Sequence, residues 1–134
     1  MKKFLDAQED DYEIALNEIK NGHKRSHWIW YIFPQIDGLG HSSTAKYYSI
    51  KDLEEAKEYL NNEILRSRLI EISNELLKLN DSIDNIMGYP DNLKLCSCMT
   101  LFYEADSSID VFKKVIDKFY NGKFDENTIR ILKK

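Results

Sequence analysis

The chain has 134 residues and a formal net charge of −4, with 43% apolar and 31% charged residues. This is the size and composition of one globular domain spanning residues 1–134. The negative charge argues against a general affinity for nucleic acid or an anionic membrane surface, and no apolar run approaches the roughly eighteen residues of a membrane-spanning helix. We therefore expect neither a nucleic-acid partner nor a membrane.

The first predicted helix is short and amphipathic. Asp10 and Glu13 have the spacing of a capping box, and Asn21-Gly22 is a typical helix stop. The apolar residues between them recur at helical intervals: Tyr12, Ala15, Leu16 and Ile19. The sequence therefore predicts one buried face on this helix.

The second predicted helix lies in the segment "RSHWIWYIFPQ", residues 25–35. Ser26 is suited to cap it, while Pro34 disfavours helical geometry at Phe33, which leaves about two turns. Both tryptophans of the chain fall in this segment. We expect a packed inner helix.

Turn residues and further caps divide the rest of the chain. Asp37-Gly38 and Gly40 predict turns, after which Ser42 or Ser43 caps a short helix. Later helices are predicted over residues 52–60, along a Leu65–Leu79 seam, after Ser82, Asp91 and Ser107, and after Asp125. No segment alternates long enough to predict a strand. We therefore predict an all-α fold, a single compact domain of about six to eight helices.

The charges of the chain are unevenly distributed. Between His23 and Lys51 four cations, Lys24, Arg25, Lys46 and Lys51, face one acid, Asp37, so this window carries +3 and the remainder −7. All three histidines and two of the five glycines also fall here. The window is the most distinctive part of the sequence.

The aromatic residues of the second predicted helix separate into two faces. Trp28, Ile29, Ile32 and Phe33 share one broad face, which is typical of core. His27, Trp30 and Tyr31 gather on the other face, with apolar bodies and polar tips, as in the wall of a cavity. The alternative is that this second face only packs against other helices.

Four stretches of the chain resemble one known family: "GHKRSHWIWYIFPQIDGLGHS" followed by "YSI", "FLDAQ", "GYPDNLKLCSCMTLF" and "FDENTIRIL". The chain is identified by them as a member of the bacterial family called domain of unknown function 1810. The resemblance covers essentially the whole chain and implies a compact, mostly helical single domain. It implies no activity, and the calpastatin-like label sometimes given to such proteins has no physical basis in these residues.

The leading functional hypothesis is a pocket for an anionic, nucleotide-like small molecule, formed by residues 23–48. Exposed backbone N–H groups near Ser42 would attract a phosphate or carboxylate, and aromatic rings would stack on a base. Ser97 and Thr100, on the helix after Asp91, would supply a second wall. The predicted ligand-binding residues are Arg25, His27, Trp30, Tyr31, Gln35, Gly40, His41, Ser42 and Lys46.

The rival hypothesis is a protein–protein interaction module that uses the same aromatic face, since Trp, Tyr and Arg dominate such patches. Exposure separates the two hypotheses, because a concave face indicates a pocket and an exposed Trp30 indicates an interface. The sequence leaves the oligomeric state open between monomer and dimer.

No catalytic dyad is identifiable, so whether the protein is an enzyme stays open, with His27 the best acid–base candidate. We expect no cofactor and no metal site, because His23 and His27 lack a third ligand. Cys96 and Cys98 are too close together for an ordinary disulfide and are expected to be reduced core thiols. The opening "MKKFLDAQEDD" does not resemble a secretory signal, which favours a cytoplasmic location.

Overall fold

Nine α-helices make up the fold in the computed structural model, which describes all 134 residues. The helices are α1 (Lys2–Lys20), α2 (Ile29–Ile32), α3 (Ser43–Tyr47), α4 (Leu53–Asn61), α5 (Glu63–Leu77), α6 (Ile83–Met87), α7 (Asp91–Ala105), α8 (Val111–Tyr120) and α9 (Glu126–Leu132). The only extended pairing is an isolated parallel bridge between Ile36 and Ile50. The all-α prediction is confirmed, and the helix count exceeds the expected range because α2, α3 and α6 are single short turns.

Helix α7 lies at the centre of the molecule and packs against α2, α4, α6, α8 and α9. A helix that is apolar around most of its circumference is stable only when buried, and α7 buries every residue from Leu95 to Phe102, a run that covers all sides of the helix. Helix α1 packs against α2 and α5. One continuous cluster of 31 buried residues results, so the chain forms a single domain.

Side-chain caps begin most of the later helices. Ser42, Ser82 and Asp125 accept hydrogen bonds from backbone amides of α3, α6 and α9, as the sequence predicted. Asp52 and Asn62 do the same for α4 and α5. These caps fix where each short helix enters the core.

Helix α1 begins at Lys2 rather than near Asp10, because its buried stripe starts at Phe4 and passes through a polar residue, Gln8. The Gln8 amide is satisfied inside the core, since its Nε2 donates to the Tyr31 carbonyl at 2.7 Å and to the Tyr59 hydroxyl at 3.0 Å. None of the nine helices combines the length and hydropathy needed to cross a bilayer.

The predicted core face of the second helix is confirmed. Trp28, Ile29, Ile32 and Phe33 are all at most 3% exposed. The helix itself is a single turn, with Trp28 at its N-terminal boundary rather than inside it. This shortening moves the residues before Trp28 into an irregular segment.

Candidate functional site

A concave cleft of about 560 Å³ opens beside Trp30. It lies between the loop after α2, the first turns of α7 and the connection from α8 to α9. Its volume falls in the range of small-molecule sites. The chemically most informative lining residues are Trp30, Gln35, Lys94, Ser97, Lys123 and Phe124.

A stacked cation and indole form one part of the cleft wall. Lys94 Nζ lies 3.9 Å from the centroid of the Trp30 ring, which is a close cation–π contact. The same ammonium lies 3.5 Å from the carboxylate of Asp91, one helical turn earlier on α7. Trp30 therefore already has a positively charged partner on one face, where the sequence hypothesis placed a base.

The loop after α2 forms the wall that carries the glycines. It is anchored on the bridge to Ile50, whose N–H donates to the Gln35 carbonyl at 2.8 Å and whose carbonyl accepts from the Asp37 N–H at 2.8 Å. A Cβ on Gly40 would lie 2.6 Å from the Cβ of Ala45. Only glycine allows the loop to lie this close to α3.

The opposite wall joins α7 to the start of α9. The Ser97 hydroxyl donates to Asp125 Oδ2 at 3.0 Å, and the Thr100 hydroxyl accepts from the Asp125 N–H at 2.9 Å. The same Asp125 oxygen caps α9 by accepting from the Thr128 N–H at 3.1 Å. Ser97 therefore lines the cleft, whereas Thr100, fully buried, fixes the wall from behind.

The cleft carries charges of both signs. Two lysines, Lys94 and Lys123, share it with three carboxylates, Asp37, Asp125 and Glu126. The window from His23 to Lys51 is poor in acids along the chain, but folding brings acidic residues of the 125–126 turn against it. The site is therefore not uniformly cationic.

One thiol borders the cleft. Cys96 is 8% exposed, and its Sγ lies 3.6 Å from the Lys123 carbonyl, to which it donates. Burial raises the pKa of this thiol to about 11, with the nearby Asp125 carboxylate adding to the effect. Because the thiolate is the reactive form, Cys96 is a packed neutral side chain, as expected for a reduced core cysteine.

Four of the predicted site residues line the cleft: Trp30, Gln35, Gly40 and Ser97. Arg25, His27, His41, Ser42 and Lys46 are exposed and do not line it. For His27 the physical reason is the brevity of α2, because the sequence pattern placed it on one helical face with Trp30 whereas it lies in the irregular segment before the helix. Arg25 lies in the same irregular segment, and Lys46 is an exposed residue of α3. The Ser42 hydroxyl is also occupied as the cap of α3, accepting from the Ala45 N–H at 3.1 Å.

Tyr31 faces α1 rather than the cleft. Its hydroxyl donates to Asp11, and its ring centroid lies 5.1 Å from that of Tyr48. Burial and the hydrogen bond to Asp11 raise the pKa of the Tyr31 phenol. Tyr48, which the sequence did not single out, lines the cleft in its place.

The segment before Trp30 is held by one carboxylate of α1. Glu18 Oε1 accepts from the backbone N–H groups of Arg25 and Ser26, at 2.7 and 2.9 Å, and from the Trp28 indole at 2.9 Å. Its other oxygen accepts from the Ser26 hydroxyl at 2.5 Å. Burial alone would raise the Glu18 pKa, but these hydrogen bonds hold it at about 2.

Comparison with known proteins gives the family but no activity. The family model described as "Protein of unknown function (DUF1810)" matches residues 1–132. The chain belongs to this family. A crystal structure at 1.38 Å of a conserved hypothetical protein from Mycobacterium tuberculosis is similar, with a TM-score of 0.97 and 41% identity over 99% of this chain and 96% of that one. A search of curated proteins finds no match.

The sequence hypothesis missed the cations that line the cleft, Lys94 and Lys123. Lys94 lies within "GYPDNLKLCSCMTLF", one of the stretches by which the chain resembles the DUF1810 family. Its i, i+3 spacing from Asp91 indicates an ordinary surface ion pair, and nothing in the local sequence indicates that Trp30 lies beneath it. The one feature of the sequence that links Lys94 to Trp30 is that both lie in stretches that resemble the same family.

Proposed function

We propose that this member of the DUF1810 family binds a small anionic molecule, with one acidic group and an apolar or planar body, in the cleft beside Trp30. The observation that carries the proposal is the Lys94 ammonium stacked at 3.9 Å on the Trp30 ring inside a concave site. An ammonium held on an aromatic face still has N–H donors for an acidic group.

Apolar lining favours a ligand with a hydrophobic body. Leu39, Leu93 and Phe124 line the cleft together with the half-buried Trp30. Gln35 and Lys123 add polar groups at separate points of the wall. Such a mixture of apolar surface and few polar groups is typical of small-molecule sites.

The acidic residues of the cleft limit the charge of the ligand. Asp37 and Glu126 lie at its exposed margin, and Asp125 forms the cap of α9. Their repulsion disfavours a polyphosphate, whereas a single carboxylate or monoester phosphate at Lys94 avoids most of it. We therefore narrow the nucleotide-like class to ligands with one acidic group.

The proposal is tested by NMR titration with a matched pair of probes, naphthoate and the uncharged naphthamide. We expect naphthoate to shift the indole N–H signal of Trp30 and to bind more tightly than naphthamide. Lys94→Met, which keeps the aliphatic stem over the ring, should weaken naphthoate binding by about three- to tenfold.

Lys78→Met is the matched control, because Lys78 pairs with Glu75 on α5, outside the cleft. It should leave both titrations unchanged. Absence of any Trp30 shift with naphthoate, phenyl phosphate or related ligands with one acidic group, or equal binding by wild type and Lys94→Met, would contradict the proposal.

A protein interface at the cleft mouth is the second candidate. Tyr89 and Leu93 are 81% and 52% exposed beside Pro90, and exposed apolar residues grouped together are typical of interaction surfaces. Trp30 itself is half-buried in a concave site, which favours the pocket. Sedimentation of wild type and Tyr89→Ser tests this candidate: a wild-type dimer that the substitution dissociates would support it, and identical monomers would count against self-association.

A further inference from the structure

One carboxylate, that of Asp91 next to the cleft-lining Pro90, is shared between two lysines. Asp91 Oδ2 lies 2.7 Å from Lys24 Nζ, and Asp91 Oδ1 lies 3.5 Å from Lys94 Nζ. The shorter pair is the more buried, since the Lys24 side chain is 7% exposed and that of Lys94 is 24% exposed. Two ammonium groups with one carboxylate leave one positive charge uncompensated. Because Asp91 pairs more closely with Lys24, that charge lies on Lys94.

Lys24 is fixed in place from several directions. Its Nζ donates to the Ser26 carbonyl at 2.5 Å and lies 4.9 Å from the centroid of the Trp28 ring. Its backbone N–H donates to the Ile86 carbonyl at 2.7 Å. A buried ammonium held in this way gives its carboxylate partner a constant neutralising charge.

We infer that Lys24 is a positioning residue that sets the charge selectivity of the cleft. By neutralising Asp91 from behind, it prevents that carboxylate from pairing fully with Lys94, so the Lys94 ammonium stays available to an acidic ligand. Lys24 does not line the cleft, so it would act on a ligand only through Asp91 and Lys94. The inference rests on the proposed function and adds how the same site would prefer an anion to its neutral analogue.

The test measures the ratio of naphthamide to naphthoate dissociation constants in variants of the full chain. Lys24→Met leaves Asp91 with Lys94 as its only ammonium partner, so this ratio should fall by about three- to fivefold. Lys24→Arg keeps the positive charge and should retain most of the wild-type ratio. Asp91→Asn removes the shared carboxylate and should raise the ratio.

The ratio is expected to fall in Lys24→Met and to rise in Asp91→Asn. These opposite changes distinguish charge selectivity from a structural effect. If Lys24 only supported the fold, Lys24→Met and Asp91→Asn would weaken both probes alike and leave the ratio unchanged, and that result would overturn the inference. If Lys24→Met fails to fold, Lys24→Gln, which also removes the charge but keeps a hydrogen-bond donor for the Ser26 carbonyl, takes its place in the same comparison.

A crystal structure of the unliganded Lys24→Met protein gives a readout that does not depend on any probe. We expect Lys94 Nζ to move from 3.5 Å to about 2.8 Å from the Asp91 carboxylate, the usual length of a charged hydrogen bond. An unmoved Lys94 would overturn the inference even if the probes bind. If no probe binds but Lys94 moves, the proposed function fails while the charge-sharing arrangement stands.

Discussion

Glu18 joins α1 to the segment that leads into Trp30, and all the donors it satisfies lie between Arg25 and Trp28. The backbone there is irregular, so its N–H groups have no helical partners and need such an acceptor. One side chain thus fixes the path of a segment that the sequence pattern predicts as helix.

The hydrogen bonds that Glu18 accepts predict that the stability of the folded protein depends on pH. The Glu18 pKa is about 2 in the folded protein against an ordinary value of 4.5, so its contribution is complete above about pH 4.5 and is lost as the pH falls towards 2. Glu18→Gln should lower the free energy of unfolding near pH 7 by about 1–2 kcal/mol, a value reduced for the partial exposure of the carboxylate.

Urea unfolding of wild type and Glu18→Gln across this pH range checks the prediction. The difference between them should shrink on acidification. Glu13→Gln, an exposed position of α1, serves as the control and should show little difference at any pH. A Glu18→Gln difference that stays constant down to pH 3 would refute the charge-based explanation.

Gly40 is required by close packing rather than by its backbone angles. Gly40→Ala would place a Cβ 2.6 Å from that of Ala45, and we expect a loss of about 1–3 kcal/mol in the free energy of unfolding. Adding Ala45→Gly removes the clash, so the double variant should be more stable than the sum of the two single effects predicts. Strict additivity in thermal unfolding would show that the contact is not the cause.

At the scale of elements, α9 depends on α7 for its start. Asp125 caps α9 while Ser97 and Thr100 of α7 bind its side chain and its backbone. The connection between the two helices is also one wall of the cleft. Stability of α9 and the shape of the site are therefore coupled.

Asp125→Ala tests this coupling. It removes the cap and the Ser97 contact together, so we expect a loss of about 1–2 kcal/mol and faster amide exchange across residues 126–132. Asp52→Ala removes the cap of α4, where the side chain accepts only from the Glu55 N–H, and should leave exchange in α9 at the wild-type rate. Equal exchange in α9 for wild type and Asp125→Ala would contradict the proposed coupling.

The sequence predicted those parts of the fold that depend on local chemistry. The core face through Trp28 and Phe33 follows from helical periodicity, and the caps at Ser42 and Asp125 follow from residue type. The early start of α1 was not predicted, because Gln8 interrupts the apolar stripe and only the distant Tyr31 and Tyr59 satisfy its amide.

The candidate site was predictable only in part, because its contacts also join residues that are distant in the sequence. Trp30, Gln35 and Gly40 were found because they lie in one unusual segment of the sequence. The contact between Trp30 and Lys94 joins α2 to α7, and no local pattern indicates which lysine lies over which ring. The helical projection that grouped His27 with Trp30 also assumed a longer helix than the single turn that forms.

At the scale of the whole molecule, α7 ties the cleft to the core. One side of this helix carries Lys94 and Ser97 into the cleft, while Cys98 and Phe102 are fully buried. A ligand that stabilises the start of α7 should therefore stabilise the entire domain, since binding to the native state alone raises its apparent stability.

The two thiols provide a probe of global unfolding. Cys98 is fully buried and its pKa is raised well above 9.0, while that of Cys96 is about 11. Near pH 8 Cys96 should react with iodoacetamide about a hundredfold more slowly in the native protein than in urea, because its thiolate fraction is lower. Cys98 should react more slowly still, because the reagent reaches it only when the core opens. Mass spectrometry of labelled peptides measures this, and rapid native labelling of Cys98 would contradict the buried position of α7.

Binding of an acidic ligand at Lys94 is tested most directly by a crystal structure of the protein soaked with naphthoate. We expect the carboxylate of the probe within about 3 Å of Lys94 Nζ, with its rings against the apolar wall near Phe124. An empty cleft at a saturating concentration, or a probe bound with its carboxylate away from Lys94, would contradict this expectation.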